Sequence, residues 1–293
     1  MTAEPERAAG TAGSLEPATT EPSGPLLPRD LDATIVLLRH GESEWITEGR
    51  FQGQGDSPLS ALGRRQAALA ADRLAHPTRS PALPIPAGPP VAIRHSPLSR
   101  TAETAAVVAR AMADPSSFGA SPAPAPDPGF LEVGQGEWEG LPGSVIAARW
   151  AAVLEGWRRD PLTAWAPGGE SLPEVEARVR ASLGALVGRL RDAAAAPASG
   201  RSHVLGYSDG PGDEPWALVI GHDGVFKVML LALLDLPLGR FWSFPFALCG
   251  ITVIELRRGR GRLRLHNAAD HLAPLEDEAA REREAARRRT GAL

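Results

Sequence analysis

Three apolar runs in this chain end in residues that carry charge or protons. Residues 33–38 run into Arg39-His40-Gly41. Val91-Ala92-Ile93 leads to Arg94-His95-Ser96-Pro97, with Arg100 shortly after. Trp216-Ala217-Leu218-Val219-Ile220 leads to Gly221-His222-Asp223-Gly224. In an open parallel sheet the carboxyl ends of the strands share one edge, and ligands bind outside that edge. Three loops bearing His and Arg should therefore converge. Two arginines and two histidines in one place suit a dianion, and phosphate is the obvious candidate. Ser96 reads as a helix cap with Pro97 at the first helical position, and amides at such helix N-termini would add anion affinity. A strand end is stiff enough to hold a nucleophile or a clamp. The glycine after His40 lets backbone and ligand approach closely.

The elements that must position these residues alternate along the chain. β-rich runs at 33–38, 91–93, 216–220 and 251–256 are interleaved with helical patterns at about 60–75, 97–113, 143–157, 171–194 and 223–235. The fourth helix opens on Ser171-Leu172-Pro173-Glu174, a capping box, and Val175, Val179, Leu183, Leu186 and Leu190 fall on one face. This alternation predicts an α/β fold, a three-layer α/β/α sandwich around a mainly parallel sheet. Pro-rich stretches at 77–90 and 114–129, and a Gly/Pro-rich stretch at 201–215, read as loops of that one domain. Residues 1–31 are rich in Ala, Pro, Glu and Thr without periodicity and are expected to be a disordered tail. Residues 32–274 are expected to form the domain, and 275–293 a charged, solvated tail.

A formal net charge of -4 argues against a general nucleic-acid or membrane-surface binder, which needs a basic face. Lys227 is the one lysine among 31 basic residues, so the cations of any site are mostly guanidinium. Cys249 stands alone in an apolar stretch and reads as a buried structural thiol. No apolar run approaches the ~20 residues needed to span a bilayer, and the start of the sequence shows no secretory pattern. A cytoplasmic protein is expected.

The block Leu38-Arg39-His40-Gly41-Glu42-Ser43 resembles the signature of the histidine phosphatase superfamily, in its phosphoglycerate-mutase-like branch. Further blocks follow in order: Arg50 to Gly63, Ser96-Pro97-Leu98-Ser99-Arg100-Thr101-Ala102-Glu103-Thr104-Ala105, Leu131-Glu132-Val133-Gly134-Gln135-Gly136-Glu137-Trp138-Glu139-Gly140, Pro167-Gly168-Gly169-Glu170-Ser171, and Val219 to Val225. The resemblance spans roughly 33–273. It implies that His40 attacks phosphorus and becomes a transient phosphohistidine, with its other ring nitrogen held by a backbone carbonyl. It implies that Arg39, Arg100 and His222 clamp the phosphoryl oxygens, and that Glu132 protonates the leaving oxygen and later activates water. Gln52, Gly53 and Asp223 are expected at the substrate. No metal or cofactor is implied, and the partner is a small phosphorylated substrate, with no nucleic acid and no membrane. Nothing in the sequence speaks to oligomeric state.

Glu137 and Glu139 are rivals to Glu132. Arg94 and His95 either edge the pocket or lie beside it, and His203, His266 and His271 read as structural or exposed. Two positions depart from the family pattern. Ile46 stands where an asparagine commonly contacts phosphate. Asp223 stands where a small residue is usual, and it would either repel the dianion or raise the pKa of His222. Only 26 residues separate Gly140 from Pro167, too few for the sheltering segment of the mutases, so a phosphatase is favoured. They include Val145, Ile146, Trp150, Leu154, Trp157 and Trp165, which could wall a leaving-group pocket. The rival readings are a mutase-type phosphoryl shuttle and a non-catalytic phosphoryl-binding module.

Overall fold

A computed structural model describes residues 26–195, 212–275, 278 and 281. Among these residues six strands form one sheet: β1 (Ala33–Arg39), β2 (Ala92–His95), β3 (Ala125–Pro126), β4 (Trp216–Gly221), β5 (Ile251–Arg257) and β6 (Arg260–Ala268), in the order β3-β2-β4-β1-β5-β6. The first four are mutually parallel, and β5 and β6 add an antiparallel hairpin. The helices are α1 (Glu44–Thr47), α2 (Ala61–Ala75), α3 (Ser99–Ala113), α4 (Gly143–Arg149), α5 (Ala151–Arg159), α6 (Leu172–Ala195) and α7 (Asp223–Leu233).

Every residue of β4 is buried, as is every residue of β1 before Arg39. Alternate residues face opposite layers, the period-two geometry of a strand. Ala33, Ile35 and Leu37 join Ala217 and Val219 in a cluster with α6 and α7. Val36 and Leu38 join Leu218 and Ile220 in a second cluster with α2 and α3. The expected three-layer α/β/α sandwich is therefore the observed fold. No helix among the described residues is long and apolar enough to cross a membrane.

Four differences from the sequence expectation have physical causes. β3 and β6 are the edge strands of the sheet among the described residues: a two-residue stretch ending in Pro126, and an arginine-rich run. Edge positions tolerate proline and charge, which erases the apolar signal. The helix expected over 143–157 is broken at Trp150 (φ -132°), whose ring packs on the main core with the Arg149 guanidinium 4.5 Å above it. α3 starts at Ser99, capped by the backbone of Leu98, so Ser96 and Pro97 precede the helix rather than open it. Finally, residues 26–31 are not tail. Leu27 and Leu31 are buried in the main core, and Asp30 pairs with Arg191 of α6 at 2.8 Å. At the other end Leu275 packs on the second cluster and Glu278 pairs with Arg65. The remainder of both expected tails lies outside the described residues.

Leu31 is 1% exposed. Leu31→Ala should therefore destabilise the protein by about 2–5 kcal/mol, the usual range for a buried leucine. Urea unfolding would check it, and an unchanged midpoint would return residue 31 to the tail.

Candidate active site

The carboxyl ends of β2, β4 and β1 lie side by side. The His40 N–H donates to the Gly221 carbonyl at 3.0 Å, and the Ser96 N–H donates to that of Ile220 at 3.1 Å. Adjacent strands sit about 4.8 Å apart, so the residues just past these ends share one small space. The His40 and His222 rings are 5.0 Å apart at 64°. Both are buried, 2% and 1% exposed.

Hydrogen bonds define the tautomer of each ring. His40 Nδ1 lies 2.6 Å from the carbonyl of Gly41, which can only accept, so Nδ1 carries the proton and Nε2 bears the lone pair. Arg100 Nε donates to His222 Nδ1 at 3.3 Å, so His222 carries its proton on Nε2. His222 Nε2 and Arg39 Nε are buried donors with no hydrogen-bond partner among the described residues. Leaving such a donor unsatisfied costs about 1–3 kcal/mol each. Oxygens of a bound anion would satisfy both.

Arg100 is fully buried, an arrangement that needs compensation. Its Nη1 and Nη2 donate to the carbonyls of Gly55 and Gly53 at 2.8 and 2.9 Å. Burial lowers its pKa to about 10, with Glu132 and Asp56 the main charges acting the other way, so it stays cationic at neutral pH. Burial, then Arg100, pushes both histidines well below the usual imidazole range, and Arg39 adds to both. The site is thus two guanidinium cations around two neutral imidazoles.

Glu132 comes from the loop before α4, and its carboxylate sits on the N-terminus of α7. Oε2 accepts from Gly224 N–H at 3.0 Å; Oε1 accepts from Val225 N–H at 2.8 Å and Val133 N–H at 2.9 Å. A Cβ on Gly224 would fall 2.7 Å from Glu132 Oε1, so only glycine admits this approach. With a single contact, Oε2 keeps a lone pair for a proton or a reacting oxygen. The helix amides expected to bind the anion are therefore taken by carboxylates: those of α7 by Glu132, and Ser99 N–H of α3 by Asp56 Oδ1 at 2.8 Å. Negative side chains complement the helix dipole just as phosphate would.

The other expected positions divide clearly. Gly53 lies against Arg100 as described, and Gln52 accepts from Ser43 Oγ at 2.7 Å. Glu139 is committed to the backbone N–H groups of Gln54 and Gln135, both at 2.9 Å, and Glu137 is exposed. Both Asp223 oxygens point away into other contacts: Lys227 Nζ at 2.6 Å and Phe246 N–H at 3.3 Å. Asp223 is not among the charges acting on His222, whose pKa is lowered rather than raised. Gly41 faces backbone, since a Cβ there would meet the Gly63 carbonyl of α2 at 2.4 Å. Ile146, Leu154 and Trp157 of the expected wall are core, while Trp165 is exposed. His95 is buried with Nδ1 on the Ser96 carbonyl at 2.7 Å, Arg94 is half-buried, and His203 lies outside the described residues. Burial lowers the pKa of His266 and His271, and raises that of Cys249 to about 12, the value of an inert thiol. Ile46 lies half-buried on α1.

Sequence reasoning missed the brace behind Glu132. Arg178 of α6 donates to the carbonyls of Gly129, Leu131 and Glu132 at 3.0, 2.8 and 2.9 Å, and pairs with Glu170 at 2.8 Å. Gln54 Nε2 spans the Glu132 carbonyl and Glu170 Oε2 at 3.2 and 2.9 Å. Arg178 sits between apolar positions of an amphipathic helix, where an exposed charge is the default reading. Glu170 had a signal, its place in the Gly-Gly-Glu-Ser block.

Residues 35–199 and 207–269 match the profile of the histidine phosphatase superfamily, branch 1. The chain is 26% identical over 248 residues to phosphoserine phosphatase 1 of Hydrogenobacter thermophilus, covering 84% of this chain and 97% of that protein. It is 32% identical over 204 residues to the glucosyl-3-phosphoglycerate phosphatase of Mycolicibacterium vanbaalenii, covering 69% and 75%. A solved mycobacterial glucosyl-3-phosphoglycerate phosphatase complexed with VO3 superposes with a TM-score of 0.61 at 27% identity, covering 80% of this chain and 98% of that one. The chain belongs to the histidine phosphatase superfamily. Among the described residues no group of three or more His, Cys, Asp or Glu could hold a metal ion.

Depressed imidazole pKa values make a sign-definite prediction. In the free protein His40 and His222 should stay neutral as pH falls through about 6.5, where the unfolded chain takes up protons. Their contribution to stability is therefore full above that pH and is lost progressively below it. Nitrogen-15 NMR of the imidazoles at pH 6 should show the Nδ1–H tautomer of His40 and the Nε2–H tautomer of His222. An imidazolium in either ring at that pH would contradict this electrostatic account.

Proposed function

We propose that this phosphatase hydrolyses the phosphate monoester of a small metabolite through a phosphohistidine on His40. The carrying observation is the His40 tautomer, which leaves the Nε2 lone pair free in a ring centred 5.0 Å from that of His222, with Arg100 and Arg39 as the nearby cations. In the first step that lone pair forms a bond to phosphorus as the bond to the ester oxygen breaks, and Glu132, having taken the proton of the substrate monoanion, gives it to the leaving oxygen. In the second step water attacks phosphorus, its proton goes to the Glu132 carboxylate, and the P–N bond breaks to release phosphate. Arg39, Arg100 and the His222 N–H stabilise the charge on the phosphoryl oxygens in both transition states. Gly53 holds Arg100 through its carbonyl, and Gln52 is the residue before it on that loop. Relatives named for phosphoserine and glucosyl-3-phosphoglycerate support a small organic phosphate as substrate. The stretch between Gly140 and Pro167 is used by α4 and α5, whose Ile146, Leu154 and Trp157 are buried in the core. This supports hydrolysis over a shuttle that must shelter its phosphoenzyme.

The first test is hydrolysis of an aryl phosphate in EDTA. Wild type should turn over, and His40→Ala should not; equal rates in both would remove His40 from the mechanism, and turnover dependent on a bisphosphoglycerate primer would favour a mutase. Glu132→Gln should lower kcat by about 10²–10⁴ for alkyl phosphates, the usual worth of general acid catalysis. The loss should be smaller for an aryl phosphate, whose leaving group needs less protonation. Arg178→Ala should show the same leaving-group pattern at about 10–100-fold, the equivalent of one or two charged hydrogen bonds. A uniform loss across leaving groups would separate Arg178 from Glu132.

A further inference from the structure

We propose that Asp223 is a positioning residue for the phosphate clamp, acting through the backbone of Phe246 on Arg39. This deepens the phosphatase reading and rests on it. Asp223 is the first residue of α7, immediately after His222. Its Oδ1 accepts from the Phe246 N–H at 3.3 Å, and the Phe246 carbonyl accepts from Arg39 Nη1 at 2.5 Å. The backbone of one residue, Phe246, thus links the carboxylate of Asp223 to the guanidinium of Arg39. Because the guanidinium is planar and rigid, holding Nη1 sets the plane of the whole group and the direction of its unpartnered Nε.

The segment that supplies this residue has no regular structure from Phe244 to Ala247, so side chains must define its path. Three contacts do so. Asp223 takes Phe246 N–H, Asn267 Oδ1 takes Ala247 N–H at 2.6 Å, and the Phe246 ring packs against Phe226 and His266 with centroids 5.5 and 5.1 Å away. Asp223 is held in turn by Lys227, one helical turn on, at 2.6 Å. The Lys227 side chain is 7% exposed, and its ammonium lies 4.8 and 5.3 Å from the Trp242 and Phe241 rings. A buried ammonium needs an anion, and Asp223 is its salt-bridge partner. The carboxylate therefore satisfies one cation and steers another. That explains a negative residue beside a dianion site: its charge is spent on Lys227 and its geometry on Phe246.

The test is a mutant cycle between Asp223 and Arg39, reading the inhibition constant of inorganic phosphate and the kcat and KM of an aryl phosphate. Arg39→Ala should weaken phosphate by about 100-fold, and Asp223→Ala by about tenfold with the loss mainly in KM, as expected where charged hydrogen bonds are lost or misaligned. Combining them should be no worse than Arg39→Ala alone, because Asp223 acts only through Arg39. Asp223→Asn keeps an acceptor for Phe246 N–H and should recover most of the phosphate affinity. Asp223→Ala strands the buried ammonium, so Asp223→Ala with Lys227→Met is the control for folding; it should unfold near the wild-type temperature yet keep the weak phosphate binding. Additive losses in the cycle, or restored phosphate affinity in that control, would overturn the proposal while leaving the site intact. Unchanged phosphate affinity in Arg39→Ala would overturn both the proposal and the reading of the site beneath it.

Discussion

The Glu132 carboxylate on the first amides of α7 is the joint on which the site depends. It ties a loop from the middle of the chain to the helix that follows His222, and it fills the anion position that the helix dipole creates. A Cβ on Gly224 would crowd the contact, and Arg178, Gln54 and Glu170 hold the loop from behind. Two amides of α7 are occupied in this way, and the positive charge at this sheet edge comes from side chains: Arg39 at the end of a strand and Arg100 in the first turn of a helix.

Burying those cations sets the state of everything near them. Arg100 is satisfied by the carbonyls of Gly53 and Gly55, by His222 Nδ1, and by the charge of Glu132 and Asp56. In such surroundings an imidazolium is costly, so both histidines are held neutral. Neutrality divides the roles: one ring offers a lone pair, the other an N–H. The Arg100–His222 hydrogen bond fixes the proton of one ring, and the Gly41 carbonyl fixes that of the other.

Two ion pairs at the periphery follow the same pattern, in which the acidic partner does a second job. Asp223 neutralises Lys227 and anchors Phe246; Glu170 neutralises Arg178 and receives Gln54 and Gly134. Glu139, a rival for the acid role, instead receives two backbone amides that join the acid block to the loop under Arg100.

The core strands, the two faces of helices and the blocks containing His40, Arg100, Glu132 and His222 were legible because buried strands and amphipathic helices write their periods in apolar residues, and the family blocks keep short, local spacing. β3 and β6 were not, since edge strands need no apolar alternation, and neither was the break at Trp150, which depends on what the indole packs against. Leu27 and Leu31 were hidden in a polar, proline-rich context that gave no sign of a core to receive them. The amino-acid sequence by itself determined the layer order and the cast of chemical groups at one sheet edge. Tertiary structure alone decided that Glu132 rather than an anion caps α7, that Asp223 reaches the Phe246 N–H, and that Arg178 braces a loop 46 residues away, because hydrogen bonds between distant segments leave no period in the chain.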